Sequence, residues 1–208
     1  MIGIVDYGMG NLGSVINACR FLDMDARIVT RPVELDACRA MILPGVGAFG
    51  DCMEHLASHG FVEASRAWIA ADKPFLGICV GLQALFEGSD ESPDVAGLGV
   101  LRGRVRKFVP TPDYKVPQIG WNRVRYQPSA CPLFQGIPDQ TFFYYVHSFY
   151  AEADEAGVIA GASDYAGVTY TAAVWRNNLM AVQFHPEKSQ RWGLQMLKNF
   201  GALATKGN

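Results

Sequence analysis

The sequence carries little charge and no long hydrophobic run, and both shortages exclude classes of function. Only 18% of the 208 residues are charged, and the formal net charge is −2. The concentrated basic surface that nucleic-acid binding requires is therefore missing. No apolar stretch reaches the length of a transmembrane helix, and the first residues read as a strand rather than a signal peptide. We expect a cytoplasmic protein that binds neither nucleic acid nor membrane.

Cysteine is also scarce, and its spacing argues against two common uses. The five cysteines are odd in number, widely spaced and without any C-x-x-C pair, at Cys19, Cys38, Cys52, Cys79 and Cys131. This pattern fits neither a disulfide framework nor a structural zinc site. The four histidines show no convincing metal-ligand spacing either. We expect a reduced protein that holds no metal.

What the sequence does contain is half hydrophobic residues, and its length suits a single domain over residues 1–208. In the first half, predicted strands alternate with predicted helices. The strands lie at residues 2–6, 26–30, 40–43 and 74–78, and the helices at 11–22, 50–59 and 61–71. The second half reads mainly as strands, within residues 100–109, 120–125, 141–145, 157–162, 168–175 and 179–183, before a closing helix at 190–203. The pattern predicts an α/β fold with a mostly parallel central sheet and additional antiparallel strands in the second half.

The most informative segment is residues 73–86, where a cysteine lies between two glycines at a predicted strand–helix junction. Gly77-Ile-Cys79-Val-Gly81 is the thiol form of the G-x-S-x-G nucleophile elbow. The bend raises the nucleophile above the sheet edge, and the helix N-terminus favours the thiolate of Cys79. The alternative is that Cys79 is a small buried hydrophobic residue at a tight junction.

A base for that thiol is present far downstream, in the segment Phe184-His185-Pro186-Glu187. His185 and Glu187 follow a predicted strand, so they emerge at the same sheet edge as Cys79 if that strand is parallel to the one before the elbow. Residues two apart in extended chain point the same way. Glu187 can then hold one ring nitrogen of His185 while the other faces Cys79. A histidine and a glutamate at a helix N-terminus without catalytic role is the alternative, but together the two segments favour a triad.

Attack on a carbonyl creates an oxyanion, which needs hydrogen-bond donors held in place. The N–H of Val80, at the predicted helix start, is one candidate donor. The turn Pro44-Gly45-Val46-Gly47 follows a predicted strand and can bring backbone to the same point. Its alternative is a glycine-rich bend required only for its backbone angles.

Two further segments have candidate binding roles. Gln83 lies one helical turn past Cys79 and faces the same predicted pocket, where it can bind a substrate amide or carboxylate unless it is a polar surface residue. The glycine-rich loop at residues 7–11 could hold a phosphate at a helix N-terminus, although one such loop is weak support. Asn11 is in any case a credible helix N-cap.

These motifs together resemble the class I (triad) glutamine amidotransferases. The resemblance narrows to members of that family that serve histidine biosynthesis, and it spans residues 5–189. It rests on five segments, Val5-Asp-Tyr-Gly-Met-Gly-Asn-Leu12, Leu43-Pro-Gly-Val-Gly-Ala-Phe49, Gly77-Ile-Cys-Val-Gly-Leu-Gln83, Tyr144-Tyr-Val-His-Ser148 and Phe184-His-Pro-Glu-Lys-Ser189. The resemblance implies a three-layer flavodoxin-like fold and no cofactor.

The resemblance also implies an activity and a partner. Cys79 would attack the side-chain amide of glutamine, with His185 moving the proton and Glu187 orienting it. The oxyanion site would lie at Val80 and the Gly45–Gly47 turn, with glutamine contacts from Gln83, Tyr144, Ser148 and Phe149. The ammonia would pass to a (β/α)₈-barrel cyclase that makes imidazole glycerol phosphate and an aminoimidazole carboxamide ribotide. Near the predicted mouth, Asn11 and Lys188 are candidate contacts to that partner.

Three rival hypotheses remain at this stage. Glutaminase subunits for anthranilate, aminodeoxychorismate or pyridoxal phosphate synthesis share the triad, but the Tyr-Gly-x-Gly-Asn and Pro-Gly-Val-Gly-Ala-Phe segments do not resemble theirs. A γ-glutamyl hydrolase or a cysteine peptidase on the same fold would act without a partner. A non-catalytic binding or regulatory module would not need Cys79, His185 and Glu187 intact.

Overall fold

The computed structural model describes residues 1–126 and 131–205. Within these ranges the chain forms five α-helices, which are α1 (Leu12–Phe21), α2 (Phe49–Ser58), α3 (Phe61–Ala70), α4 (Val80–Gln83) and α5 (Gln190–Thr205). The first strands are β1 (Ile2–Val5), β2 (Ala26–Val29), β3 (Ala40–Gly45), β4 (Phe75–Cys79), β5 (Gly88–Ser89) and β6 (Ser92–Ala96). The later strands are β7 (Gly103–Lys107), β8 (Gln118–Arg123), β9 (Phe142–His147), β10 (Phe149–Ala153), β11 (Ile159–Tyr165), β12 (Val168–Arg176) and β13 (Leu179–Val182).

Five parallel strands form the centre of the molecule, in the order β2-β1-β3-β4-β13. The strands β1, β3, β4 and β13 are buried along their whole length. Such apolar strands are expected where helices cover both faces of a sheet. Their carboxyl ends meet at one edge, which is where ligands bind in open α/β sheets.

The sheet is extended by mostly antiparallel strands, although β5 pairs with β7 in parallel. Beyond β13 the order continues β12-β10-β7-β5-β6, and β11 pairs with β12. Strands β8 and β9 form a separate antiparallel ribbon. Helix α1 packs beside α5, whereas α2 packs against α3. The predicted α/β class, with a mostly parallel sheet and antiparallel additions, is confirmed. The single domain over residues 1–208 stays a prediction.

Several predicted boundaries are wrong. The helix after the elbow is a single turn, Val80–Gln83, and it is followed by two short strands, β5 and β6, that the sequence pattern does not predict. The strand predicted at residues 100–109 is confined to Gly103–Lys107. Across the described residues, no helix is both long and apolar enough to cross a membrane.

Candidate active site

Cys79 ends strand β4 in a backbone conformation that few residues adopt. Its φ is 55° and its ψ is −108°, a strained geometry for a residue with a Cβ. Both flanking glycines are required by close packing. A Cβ on Gly77 would lie 2.6 Å from the carbonyl oxygen of Gly81, and a Cβ on Gly81 would overlap the carbonyl oxygen of Leu43. The G-x-C-x-G spacing therefore lets the elbow pack backbone to backbone on the sheet.

His185 and Glu187 lie where parallel β13 ends beside β4. Leu179–Val182 pairs with Phe75–Ile78, so the two chain segments leave the sheet at the same edge. His185 Nδ1 is 2.8 Å from Glu187 Oε1, and both side chains are almost completely buried. Because a carboxylate accepts, Nδ1 carries the proton. Nε2 is buried and has no hydrogen-bond partner of normal geometry among the described residues.

The backbone of the His-Pro-Glu segment is fixed by its neighbours. The N–H of His185 donates to the carbonyl of Tyr144 at 2.9 Å. The hydroxyl of Ser189 donates to the carbonyl of His185 at 2.6 Å and accepts from the N–H of Tyr144 at 2.9 Å. Helix α5 approaches so closely that a Cβ on Gly193 would overlap the carbonyl oxygen of Pro186. Ser189 and Gly193 are positioning residues that sequence reasoning missed.

The electrostatics of His185 favour its charged form. Burial alone would lower its pKa, but the interactions with Cys79 and Glu187 outweigh burial and raise the pKa to about 10. The imidazolium is therefore the dominant form at neutral pH. A group held in this state beside a thiol can donate a proton to a leaving nitrogen.

Cys79 and His185 line the same cavity, which has a volume of about 300 Å³. This volume is at the lower end of the range for small-molecule sites. The cavity is lined by Val46, Gly47, Cys79, Val80, Gln83, Glu91, Pro117, Val146, His147, Ser148, Phe149 and His185. The structure thus brings together residues that are separated by more than a hundred positions in the chain.

The predicted oxyanion turn lies directly against the elbow. Gly45 pairs with Cys79 at the end of the β3–β4 ladder, and a Cβ on Gly45 would lie 2.8 Å from the backbone nitrogen of Gly81. Val46 and Gly47 line the cavity together with Val80, whereas Gly45 packs behind them. The hydroxyl of buried Tyr7 donates to the carbonyl of Pro44 at 2.8 Å. Tyr7 therefore fixes the first peptide of the turn.

Gln83 lines the cavity, but its amide nitrogen is engaged within the protein. Nε2 donates to the carbonyl of Phe149 at 3.0 Å and to the side-chain oxygen of Gln183 at 3.1 Å. Both amide protons are therefore used. The prediction that Gln83 binds substrate is restricted to its oxygen atom.

The other predicted substrate contacts divide into two groups. Ser148 and Phe149 line the cavity, but Tyr144 does not. The contact predicted for Tyr144 stays a prediction; its backbone carbonyl accepts from the N–H of His185, and its ring packs against Trp121.

Two residues that line the cavity, Glu91 and His147, were not predicted as site residues from the sequence. Glu91 places a carboxylate in the lining, and its Oε2 accepts from the N–H of Phe49 at 2.7 Å. Burial lowers the pKa of His147 to about 4, and its Nδ1 lies 2.7 Å from the carbonyl of Phe149. His147 is therefore neutral at physiological pH. No sequence motif distinguishes Glu91 from other surface carboxylates, and its contact with Phe49, 42 positions earlier in the chain, is visible only in the structure.

The two candidate partner contacts lie in elements that touch. Asn11 is the N-cap of α1, and its Oδ1 accepts from the N–H of Ser14 at 3.4 Å. Lys188 is exposed and lies in the 3₁₀ turn Pro186–Lys188. Helix α1 packs against that turn. Among the described residues, no cluster of side chains could hold a metal ion.

Comparison with known protein families identifies the class of protein that has this elbow, this buried His185–Glu187 pair and this parallel sheet. The sequence model of the family described as "Glutamine amidotransferase class-I" matches residues 4–203. The chain therefore belongs to the class I glutamine amidotransferases. Within that family it belongs with the HisH subunits of imidazole glycerol phosphate synthase.

The relatives match over nearly their full length. Subunit HisH of imidazole glycerol phosphate synthase from Desulfitobacterium hafniense is 48% identical over 201 residues, covering 97% of this chain and 93% of that protein. HisH from Syntrophotalea carbinolica is 47% identical over 208 residues, covering 98% of this chain and all of the relative. HisH from Moorella thermoacetica is 48% identical over 202 residues, covering 97% and 94%. The narrower resemblance noted in the sequence is confirmed.

Solved structures with low sequence identity share the fold. PurLQS from Thermotoga maritima superposes with a TM-score of 0.77 at 18% identity, covering 96% of each chain. The glutaminase domain of CTPS from Trypanosoma brucei, solved with bound acivicin, has a TM-score of 0.67 at 17% identity, covering all of this chain and 94% of that one. At these identities the likeness shows the fold alone. It confirms the flavodoxin-like architecture of this family.

Proposed function

We propose that this chain hydrolyses the side-chain amide of glutamine with the triad Cys79, His185 and Glu187 and supplies the ammonia to a cyclase subunit. The observation that carries the proposal is geometric. Cys79 and His185 line one cavity, and Glu187 holds the far nitrogen of His185 at 2.8 Å. A nucleophile, a base and an orienting group in this order are what acyl transfer requires.

The reaction begins from the thiolate of Cys79 and the imidazolium of His185. The sulfur bonds to the amide carbon of glutamine, and the negative charge moves to the carbonyl oxygen. When that tetrahedral species collapses, the C–N bond breaks and His185 gives its proton to the leaving nitrogen, so that ammonia and a glutamyl thioester result. Neutral His185 then takes a proton from water as the water attacks the thioester. The C–S bond breaks, glutamic acid leaves and loses its proton to solvent, and the thiolate–imidazolium pair is restored.

The oxyanion of both steps is assigned to the backbone around the elbow. Val80 follows Cys79 directly, and Val46 and Gly47 line the same cavity. Backbone N–H groups fixed in place stabilise developing charge without reorganisation. Gly47 has a φ of 90°, so the turn can present its N–H groups in orientations closed to other residues.

Recognition of glutamine as an amino acid is assigned to the rim of the cavity. The carboxylate of Glu91 offers the negative charge that an α-ammonium group needs, with Ser148 and the oxygen of Gln83 as further polar contacts. If this holds, Glu91→Gln raises the KM for glutamine about tenfold or more while kcat changes little. An unchanged KM would remove Glu91 from the binding site.

The cyclase partner is assigned to the face of the β8–β9 ribbon beside the cavity. Ile119, Trp121 and Phe142 are 64%, 46% and 45% exposed, and Ile119 pairs with Val146, which lines the cavity. An apolar face this exposed indicates a contact surface. Ammonia released beside it would enter the partner rather than the solvent. Asn11 and Lys188 are proposed polar contacts at the same mouth, the (β/α)₈ barrel remains the expected fold of the partner, and the cytoplasm remains the expected location.

The docking face can be tested by one substitution and a matched control. We expect Trp121→Asp to weaken cyclase binding roughly thirtyfold or more, since buried tryptophans dominate interface energies. Val33→Asp changes an equally apolar side chain that is 64% exposed near the opposite edge strand β2 and should bind as the unmodified protein does. Equal affinities for both variants would place the partner elsewhere.

The activity itself is tested by mixing the chain with the candidate cyclase and following glutamine hydrolysis. Stimulation by this cyclase, and not by partners of other amidotransferases, is the expected result. Glutamine turnover that no partner changes, or cleavage of peptides or folate polyglutamates, would support the hydrolase alternatives instead. Failure of a glutamine-derived affinity label to modify Cys79 would support a non-catalytic role.

A further inference from the structure

A second glutamine, Gln183, connects Gln83 to the catalytic sulfur. Gln183 follows β13 and is fully buried. Its Nε2 lies 3.6 Å from Cys79 Sγ, a hydrogen-bond distance for sulfur, and its Oε1 accepts from Gln83 at 3.1 Å. The mechanism described above does not use this side chain.

The carbonyl of Phe149 fixes which atoms donate in this series of hydrogen bonds. The carbonyl of Phe149 can only accept, so Gln83 must present its nitrogen to that carbonyl. The second proton of the same nitrogen reaches Gln183, which therefore turns its oxygen toward Gln83. The nitrogen of Gln183 is then left facing Cys79. A backbone group thus fixes the orientation of both amides, which would otherwise be ambiguous.

We infer that Gln183 is a further catalytic residue, which donates a hydrogen bond to the sulfur of Cys79 and so favours the thiolate. Gln83 acts through Gln183 as a positioning residue. The inference rests on the proposed function in naming Cys79 as the nucleophile. A hydrogen bond to the charged form of a group stabilises that form, and such bonds are stronger when the acceptor is ionised.

The same bond orients the sulfur. His185 lines the cavity with Cys79, and Gln183 contacts the sulfur as a separate donor. The hydrogen bond from Gln183 thus restrains the Sγ atom before glutamine arrives. Gln183 takes no proton and forms no bond in the reaction, so the atom balance of the proposed steps is unchanged.

Alkylation of Cys79 by iodoacetamide tests this inference, because the reagent reacts with the thiolate. The rate is followed between pH 5 and 10 in the full chain, with the Cys79 peptide read by mass spectrometry. We expect Gln183→Met to move the midpoint of the rate profile up by about one pH unit, which lowers the rate by up to about tenfold at pH values below the midpoint. Gln83→Met should shift it the same way by less. Gln195→Met is the matched control, since Gln195 bonds Asn199 within α5, and its profile should not change.

Superimposable profiles for Gln183→Met and the unmodified chain would overturn the inference. If Gln183→Met fails to fold, as judged by near-ultraviolet circular dichroism, Gln183→Asn and Gln83→Met decide in its place, and an unshifted midpoint in both rejects the role. The readout is independent of glutamine turnover. A shifted profile in a chain that never hydrolyses glutamine would reject the proposed function alone, and turnover with an unshifted profile would reject this inference alone.

Discussion

The five parallel strands and the antiparallel half contribute different kinds of group to one cavity. The parallel strands supply backbone and the reacting side chains, through the elbow after β4, the turn after β3 and the segment after β13. The antiparallel half supplies lining, through Ser148 and Phe149, and the exposed β8–β9 ribbon. The reacting groups lie on the buried part of the molecule, and the groups proposed to recognise substrate and partner lie on the part closer to solvent.

The difference has a physical cause. Carboxyl ends of neighbouring parallel strands meet at one edge whatever their order in the chain, so β4 and β13 bring Cys79 and His185 together across more than a hundred residues. Antiparallel strands expose one face more readily, and such a face can bind a partner. This comparison predicts that substitutions in the parallel half change catalysis and folding, and that those in the antiparallel half change binding and the pH dependence of stability.

The largest effect is expected from Cys79→Ala. Glutamine-dependent synthesis by the complex should fall by at least about 10⁴-fold, because no other group can form the thioester. Synthesis from added ammonia should continue, since the cyclase is untouched. Steady-state assays with each nitrogen source measure both. Loss of the ammonia-dependent reaction as well would mean that the change damages the fold or the interface.

Glu187→Gln should have the next largest effect. The amide can still contact His185 but no longer stabilises its charge, so kcat is expected to fall roughly 10²-fold to 10⁴-fold. In the unmodified protein the alkaline limb of the pH–rate profile should lie near pH 10, because Cys79 and Glu187 outweigh burial and raise the pKa of His185 to about 10. Losing Glu187 lowers that pKa, so the limb moves to lower pH. An unmoved limb in the pH profile would exclude His185 as the proton donor.

Gly81→Ala tests the packing of the parallel half. A methyl group there meets the backbone oxygen of Leu43, and backbone cannot move aside as a flexible side chain can. The free energy of unfolding should fall by about 3 kcal/mol or more. Gly13→Ala is the control, because nothing lies within 4 Å of its new methyl group in α1 and alanine favours a helix by about 1 kcal/mol. Equal stabilities in denaturant titrations would contradict the packing argument.

His147→Gln tests the antiparallel half. Burial lowers the folded-state pKa of His147 from 6.5 to about 4, so between these values the unfolded chain binds a proton that the folded chain does not. Stability from this group is therefore present above pH 6.5 and lost as the pH falls toward 4, by about 3 kcal/mol. The variant should lack this part of the pH dependence in denaturant titrations from pH 7 to 4. An unchanged slope would show that His147 does not titrate in this way.

Tyr7→Phe should have the smallest effect. It removes the hydroxyl that donates to the Pro44 carbonyl and leaves the first peptide of the oxyanion turn less fixed. We expect kcat to fall about threefold to tenfold with KM unchanged, consistent with a hydrogen bond of about 1 kcal/mol. Cys52→Ala removes the other neighbour of the Tyr7 hydroxyl, 3.3 Å away, and should alter kcat less. A rise in KM alone would assign Tyr7 to binding instead.

The sequence predicts the site residues of the parallel half better than those of the antiparallel half, because the former lie in short motifs. The strand–helix junction is visible in five consecutive residues, Gly77 to Gly81. The pair of His185 and Glu187 is visible in three. Gln183 lies beside a recognised motif, yet its contact with sulfur depends on two amides ordered by the carbonyl of Phe149. Glu91 lies between two consecutive short strands, and its contact with Phe49 joins segments that are 42 positions apart in the chain. Local patterns cannot contain such information.

The contact between Gly193 and Pro186 has a consequence for damaged copies of the gene. Helix α5 supports the turn that carries His185 and Glu187 from behind, with no room for a methyl group between them. A premature stop codon just before residue 193 would leave all three triad residues in the reading frame. It would remove the helix that packs behind two of them, His185 and Glu187. An intact set of motif residues is therefore insufficient grounds to regard such a gene as functional.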